Sequence, residues 1–365
     1  VVEETGLSRI LVTDDAGRIL YDTRETGSAV GEYSFYTEIV QALLGNDAFS
    51  CNFRSGAFRS RASSPVLYQN QIIGAVYAYE YDTEQAALLE GLQANLLRLS
   101  AIIGAALGAA SGGMRPIAEL MYWDFAFVAA DQIFNQVAKT RYVFGGNAKI
   151  PLVIRGQQGT GRGNAATHSQ SLESIFMHIP GLKVVCPSTP ADAAGLLRTA
   201  IRDDNPVCFF EHKVLYASKG EVPDDPDFCI PFGKADIKRE GTDVTIVANL
   251  LYVKRALEAA DELAKEGISA EVIDPRTLVP FDYDTVAESV KKTGRLVVVH
   301  EAHQNNGWGA QVVSQVSQMV FPYLDAAPVH IGAKACPLPF NLGLEQAVLP
   351  SVKDIVDACK AAMYR

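Results

Sequence analysis

Hydrophobic and polar positions change their pattern near residue 100. Before that point, short apolar runs are separated by turn residues, which predicts two β-hairpins with a short helix between them. The predicted elements are the strands Arg9–Thr13 and Arg18–Asp22, the helix Tyr36–Leu44, the strands Ala62–Tyr68 and Ile72–Tyr81, and a long helix from Thr83. Tyr77, Tyr79 and Tyr81 alternate along the last strand, as on a strand that is buried on one face.

From about Gly104 onward, apolar strand patterns alternate with helical patterns. This alternation predicts a parallel β-sheet with helices on both faces. The predicted elements are Ile117–Met121, Phe125–Lys139, Pro151–Arg155, Leu182–Cys186, Ala191–Ile201 and Val207–Glu211. A segment rich in Pro, Asp and Gly, residues 218–232, predicts a linker to a second α/β unit. Its predicted elements are Asp243–Ala248, Tyr252–Lys265, Ala270–Ile273, Tyr283–Lys292, Leu296–His300, Ala310–Met319 and Asp354–Met363.

Composition places the chain among ordinary globular proteins. It has 365 residues, of which 48% are hydrophobic and 20% charged, so it contains enough apolar material for a sizeable core. The net charge of −10 argues against a broad nucleic-acid-binding face and leaves room for a small anionic cofactor. The six cysteines form no CxxC motif, which favours free thiols in a reducing compartment.

No segment has the length and composition of a membrane span. The longest apolar run, Leu99–Ser111, is shorter than the roughly 20 residues that a spanning helix needs. No signal peptide is recognisable either. We therefore expect a cytoplasmic protein without a membrane span.

A glycine-rich loop follows the predicted strand Pro151–Arg155. Gly156, Gly159, Gly161 and Gly163 lie in it, but their spacing matches neither GxGxxG nor GxxxxGK[ST]. A flexible active-site loop is the favoured interpretation, and a phosphate-binding loop is the alternative. His168 follows on a polar segment, where it can reach a ligand or serve only as a surface or capping residue.

Two further polar clusters admit both a functional and a structural interpretation. Glu301 and His303 follow a predicted strand end, but two such residues are too few for a metal site without a third ligand. The turn 203–205, Asp-Asp-Asn, stops a helix before Pro206. It is either a solvated turn or part of a hard-cation site.

Residues 5–98 resemble, by weak motifs, the small PAS-like or Cache-like sensor modules of bacterial histidine kinases. The resemblance rests on Asp14, Gly17 and Ile19 in the first hairpin and on the long exit helix. It implies a small α+β domain. No phospho-acceptor His segment or ATP-lid pattern follows, so a kinase output is not expected from this chain.

Residues from about Gly104 to Arg365 resemble, by many ordered blocks, the β subunit of the decarboxylating component of 2-oxo acid dehydrogenase complexes. This family includes the pyruvate, branched-chain and acetoin enzymes and belongs to the transketolase-like superfamily. The blocks lie at 113–119, 131–139, 151–156, 168–173, 180–185, 200–206 and 273–278. The resemblance implies an α/β fold with an N-terminally truncated pyrimidine-binding domain, 99–217, a linker, 218–232, and a transketolase C-terminal domain, 233–365.

The resemblance also implies a set of cofactors and partners. Thiamine diphosphate would be shared with an α subunit, which brings the diphosphate and magnesium ligands. The expected assembly is an α2β2 hetero-oligomer that docks onto a lipoyl acyltransferase core. The implied reaction is oxidative decarboxylation of a 2-oxo acid with acyl transfer to lipoyl.

Individual site residues follow from the same resemblance. Phe125 matches the aromatic residue that packs on the aminopyrimidine, and His168 matches the histidine implicated in acyl transfer to the lipoyl arm. A structural monovalent-cation site, usually for potassium, is matched by Leu152, Ala200, Asp203 and Asn205.

The sequence departs from the family at one decisive position. Counting back from Arg115 without gaps, the glutamate that activates the cofactor is replaced by Leu99, which can neither accept nor donate a proton. We therefore expect impaired turnover. The apolar helix at residues 97–110 suits both neighbouring segments, which suggests a chimera of two genes.

Two other interpretations follow from this junction. In the first, the N-terminal segment senses a small metabolite through a pocket lined by Tyr36, Phe58 and Tyr77, and the remainder is an inactive scaffold. In the second, the chain is misjoined, and apolar surface around 102–107 is left exposed.

Overall fold

An antiparallel β-sheet forms in the first part of the chain. The computed structural model describes residues 7–54 and 57–364, with the backbone alone over 84–97. Within the compact unit Val1–Leu97 the strand order is β2-β1-β5-β4-β3. The strands are β1 Arg9–Asp14, β2 Ile19–Asp22, β3 Ala48–Phe53, β4 Phe58–Tyr68 and β5 Gln71–Asp82.

Both predicted hairpins are present in this sheet. Gly17, with φ of +82°, closes the first turn, and Gln69 and Asn70 adopt positive φ in the second. Helix α1, Thr37–Leu43, and helix α2, Glu84–Ser111, match the two predicted helices of this region. Strand β3 was not predicted; four of its six side chains are exposed and none is fully buried, so it lacks a buried apolar face.

The second compact unit, Arg98–Arg365, contains two five-stranded sheets. The first has the order β13-β8-β9-β7-β6, and the second has the order β10-β12-β11-β14-β15. Their strands are β6 Ile117–Tyr122, β7 Val153–Gln158, β8 Lys183–Val185, β9 Val207–His212, β10 Asp236–Arg239, β11 Val244–Ala248, β12 Ala270–Asp274, β13 Thr277–Val279, β14 Leu296–His303 and β15 Val329–Ala333. Both sheets are parallel except at β13 and β10, which confirms the predicted α/β class.

Helices cover these sheets, as the alternating pattern predicts. They are α3 Thr140–Val143, α4 Glu173–Met177, α5 Pro190–Arg202, α6 Leu251–Lys265, α7 Tyr283–Thr293, α8 Trp308–Val320, α9 Leu342–Val348 and α10 Val352–Ala362. The helix predicted over 125–139 is irregular, because it divides into a 3-10 segment, Trp123–Ala129, and a π-helical segment, Gln132–Val137. Residues 218–232 contain no helix or strand, consistent with a connecting segment.

Strand β13 ties the two halves of this unit together. It follows the connecting segment in sequence, yet it pairs with β8 of the first sheet, with Thr277 opposite Val185. The neighbouring Arg276 donates to the buried Asp192 carboxylate at 2.7 Å, which adds a charged contact between the halves. The first sheet is therefore completed by residues from the second half.

A cluster of stacked aromatic rings forms the core beneath the first sheet. The Trp123 ring is fully buried and lies 3.9 Å from the Phe210 ring centroid, with Phe176 edge-on at 4.9 Å. The expected exposure around 102–107 is present only in part, because Ile102 is 47% exposed and Ile103 is fully buried. Among the described helices, none is long and apolar enough to cross a membrane.

Candidate functional site

The carboxyl ends of β6, β7 and β9 lie at one edge of the first sheet. Because β6 pairs with β7 in parallel and β7 pairs likewise with β9, the residues that follow each strand meet there. Tyr122 ends β6, Gly159 follows β7, and Lys213 follows β9. Side chains from distant parts of the sequence therefore converge on this edge.

Three rings form an edge-to-face cluster at this edge. The His168 ring lies 5.1 Å from the Phe125 ring at 90°, and also 5.1 Å from the Tyr122 ring at 81°. All three residues are half-buried, so one side of the cluster is open. The structure thus brings together the two candidates that the sequence named, His168 and Phe125, and adds Tyr122 to them.

The segment that carries His168 is fixed by buried polar contacts. The Asp124 carboxylate accepts from the Gln170 side-chain amide at 2.9 Å and from its backbone N–H at 3.2 Å. Further along, the Gln158 amide donates to Glu173 at 2.8 Å. Burial raises the pKa of Glu173 above its usual range, against the effect of these hydrogen bonds. These contacts therefore fix the chain directly after His168.

Lys213 is a fully buried member of the site that sequence reasoning missed. Its Nζ donates to the backbone carbonyl of His168 and lies 5.0 Å from the centroid of the Tyr122 ring. Burial lowers its pKa, although Asp124, Glu301 and Glu345 act in the opposite direction. The sequence signal that could have indicated this residue is the position of a lysine directly after the buried strand β9.

The glycine-rich loop is held by carboxylates from the second half of the unit. Gly159 and Gly161 have φ of +87° and +94°, a conformation that glycine adopts at little cost. The backbone N–H of Thr160 donates to Glu301, and that of Gly161 donates to Glu345 at 3.0 Å. These two donors are therefore not free for a phosphate, which argues against the phosphate-binding alternative.

Glu301 forms a buried pair with His212 rather than with His303. The His212 Nε2 lies 2.7 Å from a Glu301 oxygen, and both side chains are almost completely buried. Because His212 Nδ1 accepts from the backbone N–H of Val214, Nε2 carries the proton that Glu301 accepts. Burial raises the pKa of Glu301, but His212 and Thr160 outweigh it and lower the pKa to about 2.

His303 turns to a different partner, the carbonyl of Lys334 at 2.8 Å. Within residues 7–54 and 57–364, no group of three or more His, Cys, Asp or Glu side chains is arranged to hold a metal ion. Glu301 and His303 accordingly do not form a metal site in this structure.

The turn that carries Asp203 and Asn205 is satisfied by protein donors. One Asp203 oxygen accepts from the backbone and side-chain amides of Asn205 at 2.8 and 2.9 Å, and the other accepts from Lys183. Burial raises the pKa of Asp203, and these hydrogen bonds lower it further than burial raises it. Asn205 Oδ1 in turn accepts from Arg141 at 2.9 Å.

The backbone carbonyls of the predicted cation site also have partners. The Leu152 carbonyl accepts from Val207 at 2.9 Å, and the Ala200 carbonyl accepts from Asp203 at 3.3 Å. The ammonium of Lys183 supplies positive charge at the Asp203 carboxylate. Asp203 is thus paired with Lys183 in this structure, and the potassium site stays a prediction.

Leu99 lies in helix α2 and is half-buried. Its side chain packs against the core cluster that contains Ile103, Trp123 and Phe176. The position is therefore occupied by a packing residue, with no proton to exchange.

Replacement of Gly159 tests the glycine loop and the buried pair together. A Cβ at this position would lie 2.3 Å from His212 Nε2 and 3.1 Å from Glu301, so Gly159→Ala should separate the pair. Gly146→Ala is the matched control, because Gly146 has a similar φ of +83° with no atom within 4 Å of its Cβ. We expect Gly146→Ala to cost about 1 kcal/mol of unfolding free energy and Gly159→Ala about 3 kcal/mol more, measured by urea denaturation. Equal losses for the two variants would contradict this account of the loop.

Comparison with known proteins identifies two domains in the chain. Residues 96–219 match the transketolase pyrimidine binding domain, and residues 233–355 match the transketolase C-terminal domain. A solved structure described as an inactive beta4 tetramer of a split gene transketolase aligns with a TM-score of 0.61 and 26% identity, covering 73% of this chain and 81% of that one.

Curated relatives extend the likeness to particular subunits. The chain is 55% identical over 264 residues to the acetoin:2,6-dichlorophenolindophenol oxidoreductase subunit beta of Cupriavidus necator, covering 72% of this chain and 78% of the relative. It is 50% identical over 254 residues to the Bacillus subtilis subunit of that name, covering 70% and 74%. The pyruvate dehydrogenase E1 component subunit beta of Rhizobium meliloti is 48% identical over 262 residues, covering 72% of this chain and 57% of the relative. The chain therefore belongs to the family of pyruvate dehydrogenase E1 and acetoin oxidoreductase β subunits, built on transketolase pyrimidine-binding and C-terminal domains.

Proposed function

We propose that the unit Arg98–Arg365 is the β subunit of a thiamine diphosphate-dependent enzyme that cleaves a 2-oxo compound and passes the acyl group to a lipoyl arm. The observation that carries the proposal is the cluster of Phe125, His168 and Tyr122 at the carboxyl edge of the first sheet. Relatives named for acetoin and for pyruvate support substrates of that class.

The cluster suits one half of a cofactor site. A half-buried aromatic ring such as Phe125 offers an apolar face to a flat heterocycle, while His168 stands at right angles beside it. Thiamine diphosphate, when bound, supplies a nucleophilic carbon for the carbonyl of the substrate. Phe125 would contact the pyrimidine ring, and its rigid position would orient that ring.

His168 would hold and transfer a proton during acyl transfer. The Thr167 hydroxyl lies 3.0 Å from Nδ1, and the backbone of His168 is held by Lys213. A positioned imidazole can serve as acid or base near neutral pH. These contacts support the role that the family resemblance implies.

A partner α subunit would complete the site with the diphosphate and magnesium ligands. The glycine-loop donors at Thr160 and Gly161 are already engaged by carboxylates, so the diphosphate is expected to bind elsewhere. An apolar side chain borders the same loop, since a Cβ on Gly163 would lie 3.4 Å from the side chain of Leu342. Phe340, Leu342 and Leu344 are 76%, 55% and 60% exposed, which favours a protein partner at this surface.

The wider assembly follows from the same proposal. An α2β2 hetero-oligomer would present the C-terminal domain to a lipoyl acyltransferase core. Potassium and a sensor role are not needed for this function.

A metabolite-sensing role for the N-terminal unit stays a prediction. The Tyr36 and Tyr77 rings stack with their centroids 5.2 Å apart, and Phe58 packs against Phe53. The chimera hypothesis likewise stays a prediction.

We further propose that Leu99 limits the rate. Leu99→Glu should restore a proton-exchanging group and raise turnover by roughly 10²-fold or more, because positioned acid–base groups contribute about 10²–10⁴-fold. Leu99→Gln is the matched control, because glutamine has the size and shape of glutamate and lacks the ionisable carboxyl. The measurement is dye reduction by the complex with its α subunit. Equal rates for wild type and both variants would show that position 99 does not limit the reaction.

Reconstitution with the α subunit from the same source tests the function itself. The mixture should reduce 2,6-dichlorophenolindophenol when given acetoin, pyruvate or a branched-chain 2-oxo acid, in the Leu99→Glu background if the wild-type rate is below detection. His168→Ala should lower acylation of a lipoyl domain by roughly 10²–10⁴-fold. His178→Ala, at an exposed position, is the control and should leave it unchanged. A complex that assembles but reacts with none of these substrates in either background would refute the proposal.

A further inference from the structure

Lys213 occupies an unusual environment for a lysine. Its side chain is fully buried, and among the described residues it forms no ion pair with a carboxylate. Its ammonium group instead donates to the His168 carbonyl and lies 5.0 Å from the Tyr122 ring centroid. A cation above an aromatic face gains electrostatic attraction, and more so when water is excluded.

Such a placement is costly for folding. A buried charge without a bonded counter-ion loses hydration that one carbonyl and one ring replace only in part. Asp124, Glu301 and Glu345 lie near enough to favour the charged form electrostatically. An apolar side chain of similar length would fill the same space without this cost, so stability does not account for the ammonium group.

The backbone of Lys213 is held from both sides. Its carbonyl accepts from Arg162 of the glycine loop at 2.8 Å. The preceding residue, His212, is bonded to Glu301 at 2.7 Å. The Lys213 side chain therefore starts from a fixed backbone position. Its Nζ atom can in turn fix the two groups that it contacts, the His168 carbonyl and the Tyr122 ring.

We propose that Lys213 is a positioning residue that holds His168 and Tyr122 in their edge-to-face arrangement with Phe125. This inference rests on the proposed function, because it assigns Lys213 to the acyl-transfer step of His168. Lys213 itself exchanges no proton and touches no substrate in this role. The ammonium group of Lys213 fixes the His168 backbone by donating to the His168 carbonyl, and it fixes the Tyr122 ring by the attraction between its positive charge and the ring face.

Lys213→Met tests the inference, because methionine keeps most of the stem and lacks the ammonium group. Lys353→Met is the matched control, since Lys353 is 81% exposed on α10, where it pairs with Asp357. Both variants are prepared as the full chain in complex with the α subunit. Thermal unfolding and complex formation are recorded first, to show that both variants fold and assemble.

The kinetic readout is acylation of a lipoyl domain, with kcat and KM measured separately. Lys213→Met should lower kcat by roughly 10- to 100-fold, since small displacements of reacting groups have effects of that size. The KM for the 2-oxo substrate should change less than about threefold. In the His168→Ala background, Lys213→Met should lower kcat little further, because both replacements impair the same step, acyl transfer assisted by His168.

The second readout does not depend on activity. Histidine Cε1 signals of the chain, labelled with ¹³C, are compared by NMR, with His168→Asn used to assign the His168 signal. Lys213→Met should shift or broaden the His168 signal, and Lys353→Met should leave it in place. An unchanged His168 signal with unchanged kcat would overturn the inference. A shifted signal in a complex that has no turnover in either the wild-type or the Leu99→Glu background would retain the positioning role and refute the proposed function instead.

Discussion

The buried contact between Glu301 and His212 joins the two halves of the unit Arg98–Arg365. Glu301 lies two residues before the end of strand β14 in the second sheet, and His212 ends strand β9 of the first. The same carboxylate also receives the Thr160 N–H, so it sets the course of the glycine loop. Since Gly159 leaves no space for a side chain between them, loop, imidazole and carboxylate form one close-packed group. The position of Lys213, and through it that of His168, depends on this group.

The candidate site follows from this constraint. His212 ends strand β9 and Lys213 follows it directly. The His212 side chain contacts Glu301 of the second sheet, and the Lys213 side chain contacts Tyr122 of the aromatic cluster. The loop that follows β7 is held by carboxylates, while the ring cluster after β6 remains half-open. At this edge of the sheet, a loop held in place by carboxylates lies beside an accessible cluster of aromatic rings. That arrangement is expected for half of a shared cofactor site.

Periodicity and local motifs predicted much of the fold. The turns at Gly17 and at Gln69–Asn70 are encoded by residues that favour positive φ, and the parallel strands of the second unit are encoded by continuous apolar runs. His168 and Phe125 were found because the family resemblance named them. Lys213 was missed because its role depends on contacts with residues 45 and 91 positions away, which no local pattern reports. The pairing of Glu301 with His212 was not predicted for the same reason, since the two residues lie 89 positions apart in sequence and meet only in the fold. Strand β13 was missed because it is three residues long and pairs across the connecting segment.

The central claim is that this chain supplies one half of a thiamine diphosphate site and that a partner supplies the other half. Calorimetric titration of thiamine diphosphate with magnesium into the chain alone, into its α subunit alone and into their mixture tests that claim directly. The account predicts saturable binding to the mixture and much weaker binding to either component by itself. Tight binding by this chain alone, or no binding by a mixture that has demonstrably assembled, would contradict it.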